Sequence, residues 1–502
     1  MTLKAGIAGL RGTIDAETDN LNPATVLGYA QGFGVWVRNQ YPHPTVVLGR
    51  DGRNSSAMVA DVVRAGLLSV GCRVVDLGLT LTPTVQFTVS RRPDYHAGVM
   101  VTASHNPPVW NGLKFLNSQG FFLSEADWER LEAQRRHLAA PEVPLDRVLP
   151  VLGDSSSLTA HQNAVLSVLP VAAIQARRFR VALDACNSGA VGWQSFLQAL
   201  GCEVVACHTE LHGYFSREPE PLPAHLATLK RLVRTAHCHL GFAADPDGDR
   251  LVLVDERGEA VNEEHTVVLC AQERLRHQPE GAVVVNTVTT HALEDALKSA
   301  QPGVKIVRTA VGEMNVVAGV QQYQAILGGE GSGGIIVPQV HLARDGMGAM
   351  GLILSLLATS GGSLSQLVQG IPRWESVKLK LTPSGLKTDA LRELFRQWRT
   401  VLPQVKIEKT GIVLCRESHW IGIELSEHEL HLQVHLSDDH TGTAQGQHSE
   451  LAQLWQRFDP NLLTLDTTDG IKLVTPQAWF SLRPSNTEPI VRFMGEYRVG
   501  KT

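Results

Sequence analysis

The sequence predicts an α/β protein: three similar α/β domains in series, then a smaller α+β domain at the C-terminus. Three observations carry that reading. The first is a repeat, in which Gly71-Cys72-Arg73-Val74-Val75 recurs as Gly201-Cys202-Glu203-Val204-Val205, each closing a strand–helix–strand run. The second is another run of the same grammar, from Gly281–Val285 through His291–Ser299 to Val304–Val307. Copies about a hundred residues apart are too widely spaced for solenoid repeats, whose periods are roughly 20–50 residues, so each is read as a domain. The third is a break after Ile371-Pro372, where an alternating segment (Val377–Leu381) and a helical one (Thr388–Val401) precede further strand-like segments. The expected domains are 1–153, 154–258, 259–372 and 373–502, with an insertion near 403–463 whose mixed alternation predicts ordered sheet.

Composition narrows the class of protein. Over 502 residues the chain is 43% hydrophobic and 19% charged, ordinary values for a globular protein. A net charge of −5 supplies no general field for nucleic acid or anionic lipid. The N-terminal segment shows no signal-peptide pattern, and the longest apolar stretch, Met347–Thr359, is too short for a bilayer and broken by Gly348 and Gly351. Seven scattered cysteines without a CxxC pair predict free thiols in a reducing cytoplasm, rather than a disulfide framework or zinc site. The expectation is a cytoplasmic protein, monomer or homodimer, that acts on small molecules and uses neither nucleic acid nor membrane.

Taken in order, residues 5–14 place Arg11 between glycines in a loop. Val46–Ser56 reads as a strand ending in a charged Gly-rich turn, followed by a helix (Met58–Leu68) and a strand (Gly71–Gly78), a βαβ unit with a parallel, doubly covered sheet. The apolar Val99–Val101 then runs into Thr102-Ala103-Ser104-His105-Asn106-Pro107. That places Ser104 at a strand terminus, where open α/β sheets bind ligands, with His105 beside it. An Asx/Pro turn in which Ser104 only caps the backbone fits the same residues. Asn111-Gly112 is expected to reverse the chain and return Lys114. Gly153–Ser157 reads as the first linker and Asp255–Glu263 as the second boundary; Phe179–Ala185 and Trp193–Leu200 supply a strand and a helix. In the last domain Glu429–Leu436 puts His431 and His435 on one strand face, read as solvated rather than metal-binding.

Three further stretches carry chemistry. Asp245-Pro246-Asp247-Gly248-Asp249-Arg250 sets carboxylates at i, i+2 and i+4 on a tight loop, where they repel unless a hard cation is shared. A calcium loop is excluded, since the position that requires glycine is Arg250; three aspartates suit Mg²⁺. Gly328–Gly334 (GGEGSGG) formally contains a dinucleotide fingerprint but continues as strand, not helix. It reads instead as a loop whose bare backbone lets a ligand approach, with Glu330 and Ser332 suited to sugar hydroxyls; a plain hairpin turn is the simpler alternative. Arg483-Pro484-Ser485-Asn486-Thr487-Glu488-Pro489, joined by Arg492, suits a phosphate dianion.

Together TASHNP, DPDGDR, GGEGSGG and RPSNTEP, with the flanking GLRG, GRDGR, NGLK and REPEP, resemble the α-D-phosphohexomutase family over essentially the whole chain. The resemblance implies mixed sheets around a central cleft, and interconversion of hexose 6-phosphate and hexose 1-phosphate through a hexose 1,6-bisphosphate, which also serves as activator. It implies Ser104 as the phosphoserine, and Ser104, Asp245, Asp247 and Asp249 as the Mg²⁺ site. Lys114, Arg11 and His105 would serve catalysis. Arg250, Gly312, Glu330, Ser332, Arg483, Ser485, Asn486, Thr487 and Arg492 would bind the sugar phosphate. The phosphoglucosamine mutase, phosphomannomutase and phosphoglucomutase branches are all compatible, because no motif reads C2 of the sugar. A bisphosphate synthase or phosphatase on the same site, a non-catalytic sugar-phosphate binder and a nicotinamide dehydrogenase are the rival readings. Two departures stand out: Gly334 where many family members have histidine, and an enlarged fourth domain.

Overall fold

The computed structural model describes residues 3–7, 9–14, 20–137, 143, 148–384, 388–400, 402–407, 411–416, 419–425, 429–437, 440–485 and 490–500. They fall into two compact units, one of Met1–Val284, Gly303–Lys305 and Val317–Gly370, the other of Val285–Pro302, Ile306–Val316 and Ile371–Thr502.

The first unit opens with seven strands: Lys4–Gly6 (β1), Gly9–Thr13 (β2), Thr45–Arg50 (β3), Arg73–Leu79 (β4), Ala97–Val101 (β5), Trp110–Leu116 (β6) and Leu152–Gly153 (β7). Their order in the sheet is β1-β2-β6-β5-β3-β4-β7. Strand β3 runs parallel to its neighbours β4 and β5, while β1, β2, β6 and β5 pair antiparallel, so the sheet is mixed. Period-two alternation divides the apolar residues between two faces. Val46, Leu48, Val99 and Val101 pack with residues of helices Pro23–Arg38 and Ser56–Ser69, whereas Val47 and Met100 pack with Val85 and Val89 of helix Thr82–Arg91.

Three local expectations are corrected here. Arg11 lies on strand β2, opposite Gly112, not in a loop. Gly9 is there because its φ is +95° and a Cβ would meet the Leu113 carbonyl at 2.1 Å. The chain reverses between β5 and β6, before Asn111-Gly112, which are both part of β6. Gly153 pairs with Asp76 at the sheet edge rather than serving only as linker.

The next sheet contains Arg180–Asp184 (β8), Glu203–Cys207 (β9), Leu240–Ala244 (β10) and Leu251–Asp255 (β11) in the order β11-β10-β8-β9. Here β8 is parallel to β9 and β10, and β11 turns back antiparallel on β10, so Asp245–Arg250 form the connecting turn. Along the chain the grammar repeats: Ala282–Asn286 (β12), helix Ala292–Ala300, Lys305–Thr309 (β13), helix Glu313–Gln322, Leu327–Glu330 (β14) and Gly334–Ile336 (β15). Strands β14 and β15 form an antiparallel hairpin.

In the second unit Trp374–Leu381 (β16) precedes helix Thr388–Thr400. Then come Gln404–Ile407 (β17), Gly411–Arg416 (β18), His419–Leu425 (β19), Glu429–Ser437 (β20) and His440–Gln447 (β21), a five-stranded antiparallel sheet that fills the segment read as an insertion. Its Ile412, Ile421, Leu430 and Val434 share one core with Leu394 and Trp398 of the helix and with Phe480 and Phe493. On its other side His431 stands 43% exposed, 3.2 Å from Glu429. The chain ends in Thr464–Asp466 (β22), Ile471–Val474 (β23), Ala478–Pro484 (β24) and Val491–Arg498 (β25), ordered β16-β25-β24-β23-β22. All seven cysteines are unpaired. Among the described residues no single helix is long and apolar enough to cross a membrane.

Candidate active site

Ser104 follows the end of β5 with φ +52°, a left-handed conformation that a side chain rarely adopts and that marks a functional turn when the surroundings enforce it. They do. The Ser104 amide donates to Thr102 Oγ1 at 2.8 Å, and Thr102 Oγ1 donates to Asp51 Oδ2 at 2.7 Å. Asp51 in turn is ion-paired to Arg53 at 2.9 Å, both side chains fully buried. The Arg53 guanidinium then donates to four carbonyls of the turn: Ser104 at 2.5 Å, Asn106 at 2.8 Å, Pro107 at 2.8 Å and Trp110 at 3.0 Å. Arg53 is visible in the sequence only as part of a flanking GRDGR; its role depends on backbone acceptors distant in the chain, Ser104 lying 51 residues away.

The hydroxyl that this turn presents lies 3.3 Å from Asp245 Oδ2 and 3.3 Å from His105 Nδ1. Asp245, Asp247 and Asp249 are fully buried, with ligand atoms within 4.8 Å of one another. Burial, then Asp249 and Asp247, raise the Asp245 carboxyl well above the usual range. For Asp249 burial acts in the same upward direction, but Arg344, Lys114 and Arg250 outweigh it and hold that carboxyl low. Lys114 Nζ sits 2.6 Å from Asp247 Oδ2 and 3.3 Å from Asp249 Oδ2. Burial depresses its ammonium, yet the two aspartates raise it overall, so Lys114 stays charged. Burial, Arg250 and Arg11 push His105 down to about 2, leaving a neutral imidazole. Asp247 Oδ1 and Asp249 Oδ1 are buried without a hydrogen-bond partner, the environment in which a divalent cation with oxygen ligands fits.

Neighbouring loops hold this turn in place. Thr82 donates its hydroxyl to Asp247 Oδ2, and its amide meets the Asp247 carbonyl at 2.9 Å. Arg217 of REPEP pairs with buried Asp184 at 2.9 Å and donates to the Ala244 carbonyl, the last residue of β10, at 2.5 Å. Like Arg53, it had no assigned role in the sequence reading. Arg11 Nη1 donates to Asn106 Oδ1 at 3.2 Å, and burial lowers its guanidinium against the pull of Asp247 and Asp249. Arg250 spans from Asp249 (4.0 Å) to Glu220 (3.5 Å), and Glu220 lies 4.0 Å from His105.

The glycine loop requires a correction. The glycines predict a bare backbone open to a ligand, but the protein's own groups occupy that space. A Cβ on Gly331 would meet the Glu264 carboxylate at 1.8 Å, one on Gly333 (φ +84°) the Leu251 carbonyl at 2.4 Å, and one on Gly334 the Arg344 Cδ at 2.4 Å. Ser332 sits half-buried in the hairpin turn, and Glu330 on β14 is ion-paired to Arg344 at 2.8 Å.

In the second unit Arg483 and Arg492 are direct cross-strand partners, and Arg492 also faces Lys380 across β16. Like charges set opposite one another destabilise a sheet unless opposite charges offset them. Arg492 Nε lies 3.4 Å from Ser485 Oγ, Arg392 donates to the Ser485 carbonyl, and Arg483 is 4.0 Å from Asp469. Asp469 also accepts from the Val311 amide at 3.0 Å, next to Gly312 with φ +125°. Asn486 and Thr487 lie outside the described residues.

Family models for "Phosphoglucomutase/phosphomannomutase, alpha/beta/alpha" domains I, II and III match residues 2–140, 159–258 and 262–374. The chain is 29% identical over 497 residues to a phosphoglucomutase/phosphomannomutase of Thermococcus kodakarensis, covering 98% of this chain and 94% of that one. It is 32% identical to a protein of Methanosarcina barkeri named "Probable phosphoglucosamine mutase", covering 79% and 92%. Among solved structures, a phosphoglucomutase/phosphomannomutase family protein of Burkholderia thailandensis superposes with a TM-score of 0.75 at 23% identity, covering 99% and 93%.

Proposed function

The chain belongs to the phosphoglucomutase/phosphomannomutase family and is a phosphohexomutase, and from that footing we propose that it works through a phosphoryl group carried on Ser104. The observation that carries this reading is a buried cluster in which Ser104 lies 3.3 Å from Asp245, while Lys114 lies 2.6 Å from Asp247 and 3.3 Å from Asp249. Phosphoryl transfer between oxygens needs alignment and charge neutralisation more than covalent assistance. The strained turn supplies alignment, because Arg53 and Thr102 hold the Ser104 backbone from both sides. Lys114 and Arg344 supply positive charge at the carboxylates.

Asp245, Asp247 and Asp249 would hold Mg²⁺ together with the Ser104 oxygen, and the ion, when bound, neutralises phosphoryl oxygens as charge shifts between them. Neutral His105, 3.3 Å from the Ser104 oxygen, charged Lys114 at the aspartates and Arg11, which donates to Asn106, would hold or pass the proton of the attacking sugar hydroxyl. Arg250, Glu330 and Ser332 line the sugar side. In the second unit Gly312, Arg483, Ser485, Asn486, Thr487 and Arg492 serve the phosphate that does not react, whichever end of the sugar bears it. Ser104 thus gives its phosphoryl to a hexose monophosphate, and the resulting hexose 1,6-bisphosphate returns its other phosphoryl after turning around.

The substrates are sugar phosphates of the glucosamine, mannose or glucose series. The test presents the three hexose 1-phosphates with magnesium and a trace of hexose 1,6-bisphosphate, and compares kcat/KM. Bisphosphate-dependent formation of the 6-phosphate from at least one supports the proposal. Turnover of none, or steady release of bisphosphate as the product, contradicts it.

A further inference from the structure

Gly334 and Arg344 occupy one space. A Cβ on Gly334 would lie 2.4 Å from Arg344 Cδ, 3.2 Å from its Cγ and 3.4 Å from its Nε, so the arginine stem lies directly across the glycine. The backbone of Arg344 is fixed where this happens. Residues Ile336 and Arg344 form an antiparallel bridge, and the Asp345 amide donates to the Ile335 carbonyl at 2.7 Å. Asp345 itself caps helix Gly346–Ser360 through the Met347 amide at 2.9 Å and meets buried His161 at 3.1 Å. From that anchored position the Arg344 guanidinium reaches two carboxylates at once: Glu330 Oε2 at 2.8 Å through Nη1 and Asp249 Oδ2 at 2.7 Å through Nη2. Its side chain is only 13% exposed, and those of Glu330 and Asp249 are 10% and 1%. A planar fork gives each carboxylate its own nitrogen in a fixed direction, whereas a lysine brings a single nitrogen.

We propose that Arg344 is a positioning residue that couples sugar recognition to the phosphoryl centre, and that Gly334 is the gap through which it passes. By holding Glu330 and Asp249 on one rigid group, it sets the carboxylate that receives the sugar hydroxyls at a fixed distance from the aspartate loop. This rests on Glu330 facing the sugar, as proposed above. The two positions therefore behave as one unit: a side chain at 334 and the arginine at 344 exclude each other.

The experiment is a double-mutant cycle in the full chain, with Gly334→Val, Arg344→Ala and the double variant, plus Arg344→Lys. Steady-state kinetics with the preferred hexose 1-phosphate and thermal melting are measured on each. Calorimetric binding of that sugar phosphate to magnesium-free protein adds a readout independent of turnover. Each single variant is expected to raise KM and Kd about tenfold, the loss of one charge-assisted contact. The double variant should be no worse than Arg344→Ala alone, instead of about a hundredfold as independent sites would give. Arg344→Lys is expected to recover less than half of the loss on a logarithmic scale. Additive effects, or lower melting temperatures with KM and Kd unchanged, would overturn the proposal. Absence of turnover in the parent chain would instead count against the mutase mechanism, while the binding cycle still decides this point.

Discussion

In the first unit the charges of the site close on one another: Asp247 and Asp249 meet Lys114 and Arg344 at 2.6–3.3 Å, behind nearly complete burial. In the second unit Lys380, Arg492 and Arg483 line up on three successive strands with a single sign. On the proposed mechanism the contrast separates two tasks. A centre that must stabilise charge moving between oxygens gains from groups already fixed in place, since no reorganisation is then needed at the moment of reaction. A clamp for a phosphate that stays intact gains from clustered positive groups, because the same dianion must be accepted from either end of the sugar. The backbone follows the same division. The Ser104 turn is held by four donations from one buried arginine, whereas at Ser485 Arg392 donates to the carbonyl, Arg492 reaches the hydroxyl and the amide donates to the Ile490 carbonyl.

The largest effect that should break this contrast comes from Arg53→Ala. It strands the Asp51 carboxylate and removes the donor of four carbonyls, a loss of about 3–5 kcal/mol in stability for a broken buried pair. Chemical denaturation measures it, and the accompanying kcat should fall further than a distant destabilising variant of equal cost. Equal falls in both would mean that the turn needs no arginine. A smaller effect is expected from Arg483→Ala or Arg492→Ala. Each should raise KM about ten- to a hundredfold, the value of a charge-assisted hydrogen bond, with kcat changed little because the contact is the same in ground and transition states. A fall in kcat with KM intact would place these arginines at the reacting end instead.

The smallest concerns acid stability. Burial would raise Asp184, but Arg217 and His208 hold its carboxyl below the ordinary range. A depressed carboxyl contributes stability above its unfolded pKa, about 3.9, and loses it as the pH falls through the folded value. Thermal melting between pH 3 and 7 should therefore show the difference between the parent and Asp184→Asn shrinking below about pH 4. A constant difference across that range would show that the charge on Asp184 contributes nothing.

How much of this was legible in the residues follows from how local each task is. A nucleophile, a cation site and a phosphate clamp need particular side chains close together in sequence, so the roles proposed for Ser104, the three aspartates and Arg483–Ser485 each rest on one short stretch. The residues that hold them do not. Arg53 and Arg217 donate to backbone carbonyls near the ends of β5 and β10, as Arg308 does near the end of β12, and a backbone acceptor leaves no trace in the sequence. A weaker sign was present: β3, β8 and β12 lead into Asp51, end in Asp184 and end in Asn286, each a polar residue at the end of an apolar strand. The glycines misled in the same way. Glycine shows that something comes close to the backbone, not what, and at Gly331 and Gly334 it is Glu264 and Arg344. Arg11 was read as a loop residue for its flanking glycines, although those serve close packing around β2.

The central claim is that Ser104 stores the group being moved. Intact-mass measurement after incubation with glucose 1,6-bisphosphate and magnesium, followed by peptide mapping, addresses it directly. One added phosphoryl group on Ser104, absent from an inactive Ser104→Ala variant, is the predicted result. An unmodified parent chain, with the alanine variant turning over as fast as the parent, would contradict it.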